Sequence, residues 1–291
     1  MPEAKRGRET SVIDNDICIQ PAGFLLELSL DWIVRRASEN VHHFLGESHV
    51  TLIDEPLGKF VQAQPLHDLR NLFARLSSTT GVARAYRVRL CDDRDRFDIA
   101  FQLNGNSVVL EAMPSPGRGV GDTIGSVCGL IDGLESNHGA SLCDAAVRRM
   151  RALTGFDRAS VTWIADGAEQ RAESSRGTFE APRAPVRPSD LPTIICTSAD
   201  ERVPVFPRRP ANQTLNCALL RAASDDQLET LRSEGVESVL SVPVKRKGET
   251  IGWFRCDNRT TRKPSIETHA AAELFAQGFA MQLEIDRLRN A

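Results

Sequence analysis

An Asn-Gly-Asn step at residues 104–106 separates two runs of alternating apolar and polar character, Phe97 to Leu103 and Ser107 to Ala112. A tight turn between antiparallel strands needs backbone at positive φ, which Asn and Gly adopt at least cost, so these residues predict a hairpin and with it an antiparallel sheet. Upstream, Phe24 to Leu28 and Ile33 to Ala37 are short β-type runs, and Glu39 to Leu45 reads as a short helix. Leu66 to Leu76 places Leu66, Leu69, Leu72, Phe73 and Leu76 at helical spacing. Ala85 to Leu90 then sets Tyr86, Val88 and Leu90 against Arg87 and Arg89, the pattern of a strand with one wet face.

A chain of 291 residues exceeds one ordinary hydrophobic core, which predicts two domains. The Pro- and Gly-rich stretch Pro114 to Gly121 marks the boundary, giving units 1–116 and 117–291. Gly117, Gly119 and Gly121 lack the spacing of a phosphate-binding loop. Beyond them come helical patterns at Thr123 to Leu134 and Ser141 to Leu153 and a strand at Ala159 to Ile164. A polar, Pro-rich region follows (182–210), then a helix at Asp225 to Glu234. Ser238 to Val244 and Thr250 to Cys256 flank the basic turn Lys245 to Gly248, and a last helix starts after Pro264 with Ser265 as its cap. Both halves read as α+β with antiparallel sheets.

Net charge of -3 gives no electrostatic reason to bind nucleic acid or an anionic membrane. No apolar run is long enough to cross a bilayer and no signal peptide is visible, so a cytoplasmic location is expected. Seven cysteines stand at long intervals without a C-x-x-C pair, and His42-His43, adjacent on a helix, make a poor chelate; no metal is expected. No nucleophile elbow, zinc-protease helix or phosphate loop is present, and no catalytic residue is assigned.

Pro188-Ser189-Asp190-Leu191-Pro192, Leu220-Arg221-Ala222-Ala223-Ser224, Leu231 to Val236 and the early Ile19-Gln20-Pro21-Ala22-Gly23 resemble the PAS-GAF sensory core of bacterial phytochromes. The resemblance runs from about Ile13 to the C-terminus. It implies a PAS domain, whose order of two strands, helices and three strands fits the first half, followed by a GAF domain. It also implies that the chain is knotted, Ile19 being encircled by residues between about 193 and 220. In that family a linear tetrapyrrole lies in the GAF cavity. Carried over, Asp190 faces the pyrrole nitrogens, Arg221 and Arg202 grip the propionates, and Ser241 meets a propionate as well. A guanidinium fork suits a carboxylate; an Arg–carboxylate bridge tying down the insertion is the structural alternative.

Several positions depart from the family's pattern. Its two pocket histidines fall on Gln227, which cannot relay a proton near neutral pH, and on Asp257, whose carboxylate would repel a ring carbonyl. Its aromatic walls fall on Thr162 and Thr230, and its attachment cysteines on Arg8 and Asp226. Cys18 and Cys196 are the nearest thiols, with no basic neighbour to activate either.

In the last helix Ala271, Leu274, Gly278, Met281, Ile285 and Leu288 recur at alternating steps of three and four, the seam of a coiled coil, with Phe275 and Phe279 off that seam and toward the domain's own core. The expectation is a sensory module that has lost covalent bilin attachment and photochemistry. It would use no cofactor, pair as a homodimer through this helix, and act on an output protein or a missing output domain. The alternative is a red/far-red photoreceptor that binds biliverdin noncovalently or through an atypical cysteine.

Overall fold

The computed structural model describes residues 17–76, 81–116, 120–165, 168–179, 193–199, 201–208 and 218–289. Its first domain is built on strands β2 (Phe24–Ser29), β3 (Val34–Ser38), β4 (Val82–Val88), β5 (Phe97–Asn104) and β6 (Ser107–Pro114) with helices α1 (Val41–Leu45), α2 (His49–Leu52) and α3 (Ala63–Ala74). The predicted hairpin forms between β5 and β6, with Asn104 opposite Ser107, so that Gly105 and Asn106 make the turn. Only Gly105, at φ 57°, is left-handed there.

Alternation decides which side chains go where. Phe24, Leu26, Leu28, Ile99, Phe101, Val108 and Leu110 pack with Trp32, Leu66 and Leu69 in the core of this domain. Leu25, Ala100, Val109 and Met113, on the opposite face, join the core of the second domain. The sheet is therefore covered on both sides. Arg87 and Arg89 are exposed and Leu90 is buried, as expected, but the strand is not regular: β4 ends at Val88, and Arg87 at φ 57° opens a bulge between Ala85 and Val88. Its amide is held by Asp98 Oδ1 at 3.0 Å. Tyr86 packs toward the second domain and Val88 toward the first.

The second domain contains α4 (Val120–Asp132), α5 (Ala140–Thr154), β7 (Arg158–Ala165), β8 (Ala168–Ser175), β9 (Ile194–Ile195), α6 (Asp225–Ser233), β11 (Ser238–Arg246), β12 (Glu249–Asn258) and α7 (Ile266–Arg289). Its sheet runs β8-β7-β12-β11-β9, antiparallel throughout. β8 carries no apolar alternation, being an exposed edge strand of sequence AEQRAESS, which is why periodicity gives no sign of it. The β11–β12 turn places Lys247 (φ 51°) and Gly248 (φ 86°) both left-handed, as a two-residue primed turn requires.

Two strands tie the domains together. β1 (Cys18–Ile19) pairs with β10 (Val203–Phe206), which lies within the Pro-rich region, and β10 pairs with β3, so a strand from the second half extends the first domain's sheet. Around Ile19 and Gln20 the contacts come from several directions. Gln20 N–H donates to Leu220 O (2.8 Å), its Nε2 to Ile194 O (2.6 Å) and Arg221 O (3.1 Å), while its Oε1 accepts from Cys196 N–H (2.8 Å). Residues 209–217, which would close any loop around this point, lie outside the described residues.

Gly23 is needed here. A Cβ on it would lie 2.1 Å from Ala112 O and 3.0 Å from Leu220 Cδ1, and the first obstacle is backbone. Gly23→Val should lose about 1–3 kcal/mol from overpacking, read as a lower urea midpoint at unchanged slope. No described helix is long and apolar enough to cross a membrane.

Candidate functional site

The second domain's sheet presents one face to α5 and α7, where Val161, Leu240, Val242, Phe254 and Cys256 are buried. Its other face lies beneath α6, whose Leu228 and Leu231 pack on Val239. The register places three rows of side chains on that second face: Arg158–Asp257–Val239, Ser160–Arg255–Ser241 and Thr162–Trp253–Pro243. This is the face on which the family resemblance would lay a ligand.

Its centre is ionic. Asp257, fully buried, accepts from Arg158 Nε at 2.8 Å on one oxygen and from Arg255 Nε at 2.7 Å on the other. Arg255 Nη2 then donates to Glu234 Oε2 at 2.5 Å, just beyond the C-terminus of α6. Two guanidiniums and two carboxylates thus cancel, as buried charges must. Burial pulls the Arg255 guanidinium down, and the Asp257 and Glu234 carboxylates more than reverse it. The Phe179 ring lies 4.3 Å from the Arg158 guanidinium carbon and closes the outer end.

Asp257 was a sequence candidate; Arg158, Arg255 and Glu234 were not. One signal was available: Arg255 interrupts the otherwise apolar run Ile251 to Cys256 and Asp257 follows it at a spacing of two, which puts both charges on one strand face.

The remaining candidates are dispersed. Gln227 is the third residue of a capping box: its Oε1 accepts from Ser224 N–H at 2.9 Å while its own N–H donates to Ser224 Oγ at 3.3 Å. Thr230 Oγ1 donates back to Asp226 O at 2.7 Å, and Asp226 is exposed in the first turn of α6. These side chains serve their own helix. Thr162 is half-buried beside Trp253 in the third row. Arg202 pairs with Asp225 and lines a narrow cleft with Gln20, Thr197 and Glu201. Asp190 and Arg8 lie outside the described residues.

Arg221 and Ser241 differ from these. The Arg221 Nε and Ser241 Oγ atoms are buried without a hydrogen-bond partner among the described residues, and burial lowers the Arg221 pKa. They flank β9: Ser241 N–H donates to Thr193 O at 2.8 Å, and the Arg221 and Ile194 carbonyls share Gln20 Nε2. Buried orphan donors of this kind are rare in a finished core.

Cys196 and Cys256 are poorly placed for chemistry. Cys196 and Cys256 are buried, and burial pushes each up to about 12; a thiol held that far above neutrality supplies almost no thiolate. Cys18 lies half-buried in β1, its carbonyl accepting from Ala222 N–H at 3.0 Å.

The last helix divides the predicted seam. Leu274, Met281, Ile285 and Leu288 are exposed, whereas Ala271 and Gly278 are buried. Gly278 faces α4, where a Cβ would meet Ile131 at 2.7 Å, so these two positions belong to packing within the domain. Phe275 and Phe279 face the core, as expected.

The family model described as "GAF domain" matches residues 139–286, and that described as "PAS fold" matches residues 9–115. Among solved structures, the chromophore-binding domain of an unusual bacteriophytochrome from R. palustris superposes with a TM-score of 0.76 at 23% identity, covering 95% of this chain and 98% of that one. A longer structure of bacteriophytochrome from the same bacterium gives 0.77 at 24% identity, over 94% of this chain and 60% of that one. The photosensory core module of a Stigmatella aurantiaca phytochrome gives 0.76 at 24% identity, over 98% of this chain and 61% of that one.

Proposed function

Because the chain belongs to the GAF domain family and carries a PAS fold ahead of that domain, we propose that it is a non-catalytic signalling module whose pigment site has been converted to structural use. Its PAS–GAF pair has the fold of a bacteriophytochrome photosensory core. The proposal is that covalent bilin attachment and photochemistry have been lost, and that the module regulates or dimerises independently of light in the cytoplasm. The observation that carries it is the Arg158–Asp257–Arg255–Glu234 network across the sheet face beneath α6. A conjugated tetrapyrrole wants flat apolar contacts and a rigid cage. Seating one here would mean separating ion pairs already desolvated, and breaking such a pair costs about 3–5 kcal/mol.

The test is to mix the purified protein with biliverdin and record its absorption before and after red illumination. The expected result is a spectrum that stays that of free pigment. A red-shifted band that changes under red light would refute the reading and establish the second one, a photoreceptor holding biliverdin noncovalently or through an atypical cysteine. That second reading is favoured by the buried Arg221 Nε and Ser241 Oγ, which have no hydrogen-bond partner among the described residues and offer donors to a propionate; in that event Arg221→Ala should weaken uptake at least ten-fold.

For output, we assign homodimerisation to the exposed stripe Leu274, Met281, Ile285 and Leu288 of α7, with an output protein or a following domain reading the helix. Met281→Glu with Leu288→Glu should halve the mass in sedimentation at unchanged circular dichroism, since neither side chain supports the domain core. An unchanged mass would remove the dimer assignment.

A further inference from the structure

Arg84 of β4 reaches out of the first domain onto α7. Its Nη2 donates to Glu273 Oε2 and, at 3.4 Å, to His269 Nδ1. Glu273 Oε2 stands 3.8 Å from the same ring nitrogen. Register puts Arg84 opposite Ala100, on the sheet face that packs against the second domain. His269 and Glu273 are four residues apart, so one guanidinium spans a turn of the helix. An arginine can only donate, and a protonated ring would set two donors against each other; Nδ1 therefore accepts, and the proton of the neutral imidazole is on Nε2.

The contact is largely withdrawn from water. The side chain of His269 is 2% exposed and that of Arg84 16%, against 35% for Glu273, and an ion pair partly shielded by protein is worth more than one on an open surface. Arg84 Nε and His269 Nε2 are buried without a hydrogen-bond partner among the described residues, which sets this cluster apart from finished core packing. Further charge lies close by. Burial raises the pKa of Tyr86, the next side chain of β4 turned to the second domain, Arg84 lowers it, and Asp98, Glu267 and Glu273 raise it, so these four charges stand within electrostatic reach of one ring. Arg84 is a cation set among carboxylates from both domains.

We propose that Arg84 is a latch through which the first domain holds the opening turns of α7, so that a shift of β4 is passed to the helix.

Both ends of the contact suit that role. β4 is the edge of its sheet, hydrogen-bonded to β5 alone among the described strands, and it is broken by the bulge at Arg87 three residues beyond Arg84. An edge strand interrupted in this way is the part of a sheet that moves at least cost. On the helix, Glu273 is followed directly by Leu274, the first side chain of the exposed stripe. A turn of the backbone at Glu273 carries Leu274 with it. The latch concerns how α7 is held, and only its consequence for output rests on the reading of α7 given above.

The experiment is amide hydrogen exchange on the full chain for the wild type, Arg84→Leu, Glu273→Ala and the double variant. Exchange over residues 269–277 should accelerate about ten-fold in each single variant. The double variant should exchange no faster than the faster single one, because both changes remove the same contact. Amides of β11 and β12 should keep their wild-type rates, which a general loss of stability would not allow. Unchanged exchange over 269–277 in Arg84→Leu, additive acceleration in the double variant, or equal acceleration in β11 and β12 would overturn the latch. Should Arg84→Leu not fold, Glu273→Ala decides alone: the same local acceleration supports the proposal and its absence ends it. Exchange is read without reference to pairing, so a chain that sediments as a monomer would still show the latch or lack it.

Discussion

Asp257→Ala should cost the second domain about 3–5 kcal/mol, roughly 10 °C in Tm for a domain of this size, read by urea and thermal unfolding under circular dichroism. Asp257 is fully buried and both of its oxygens are taken, one by Arg158 and one by Arg255. Removing it leaves two guanidiniums at 5% and 7% exposure with Glu234 as the one carboxylate bonded to either among the described residues, so the loss is that of an uncompensated buried charge rather than of one hydrogen bond. Asp257→His, which restores the residue type that the resemblance would place there, should be nearly as costly, since an imidazole cannot neutralise two cations. Replacing Arg158, Asp257, Arg255 and Glu234 together by Met and Leu should be close to neutral, because desolvating four charges consumes most of what their attraction returns. A small loss for Asp257→Ala alone would mean that water reaches this network and that the sheet face is open to a ligand.

The fold was legible where local chemistry is strong. Asn104 to Asn106 announces its hairpin, Ser265 its helix (its Oγ accepts Thr268 N–H at 3.0 Å), and Lys247-Gly248 its turn. Legibility failed where the partner is distant in sequence. β10 is four residues inside a Pro-rich stretch and becomes a strand only because β1 and β3 lie on either side of it. The site shows the same division. Gln227 could be matched to a family position, yet its neighbour Ser224, three residues back, already spelled a capping box, and the local bond takes the side chain. Asp257 could be singled out, but its partners Arg158 and Arg255 are 99 and 2 residues away along the chain, Glu234 lies a further 21 residues from Arg255, and only Arg255 was close enough for periodicity to reveal. The heptad spacing of α7 was visible, whereas the burial of Ala271 and Gly278 depends on α4 and the sheet, which no pattern within one helix can report.

Phe254→Ala should be comparably severe, about 3–5 kcal/mol, and should do more than lower stability. Phe254 is fully buried on the face of β12 opposite the ionic network, edge-on to Phe279 at 5.2 Å and to Phe275 at 6.1 Å. Those two rings pack α7 on the sheet from the β12 side, beside its contacts with β11, α4 and α5, and both turn inward. That rotation decides which side chains are left outside: with Phe275 and Phe279 inward, Leu274, Met281, Ile285 and Leu288 face out. Phe254→Leu, which keeps most of the volume, should cost under about 1.5 kcal/mol and leave the helix in register. The alanine variant creates a cavity beneath both rings, so amide exchange along α7 should accelerate well before global unfolding. Retained protection of α7 in Phe254→Ala would place the anchor elsewhere, with the α4 contact at Gly278 and Ile131 the next candidate. Since Arg255 is the next residue along β12, with its side chain on the opposite face, one strand carries both the ionic site and the helix anchor. If α7 is the output helix proposed above, a change in what occupies that face would meet it through adjacent residues of one strand, Arg255 and Phe254.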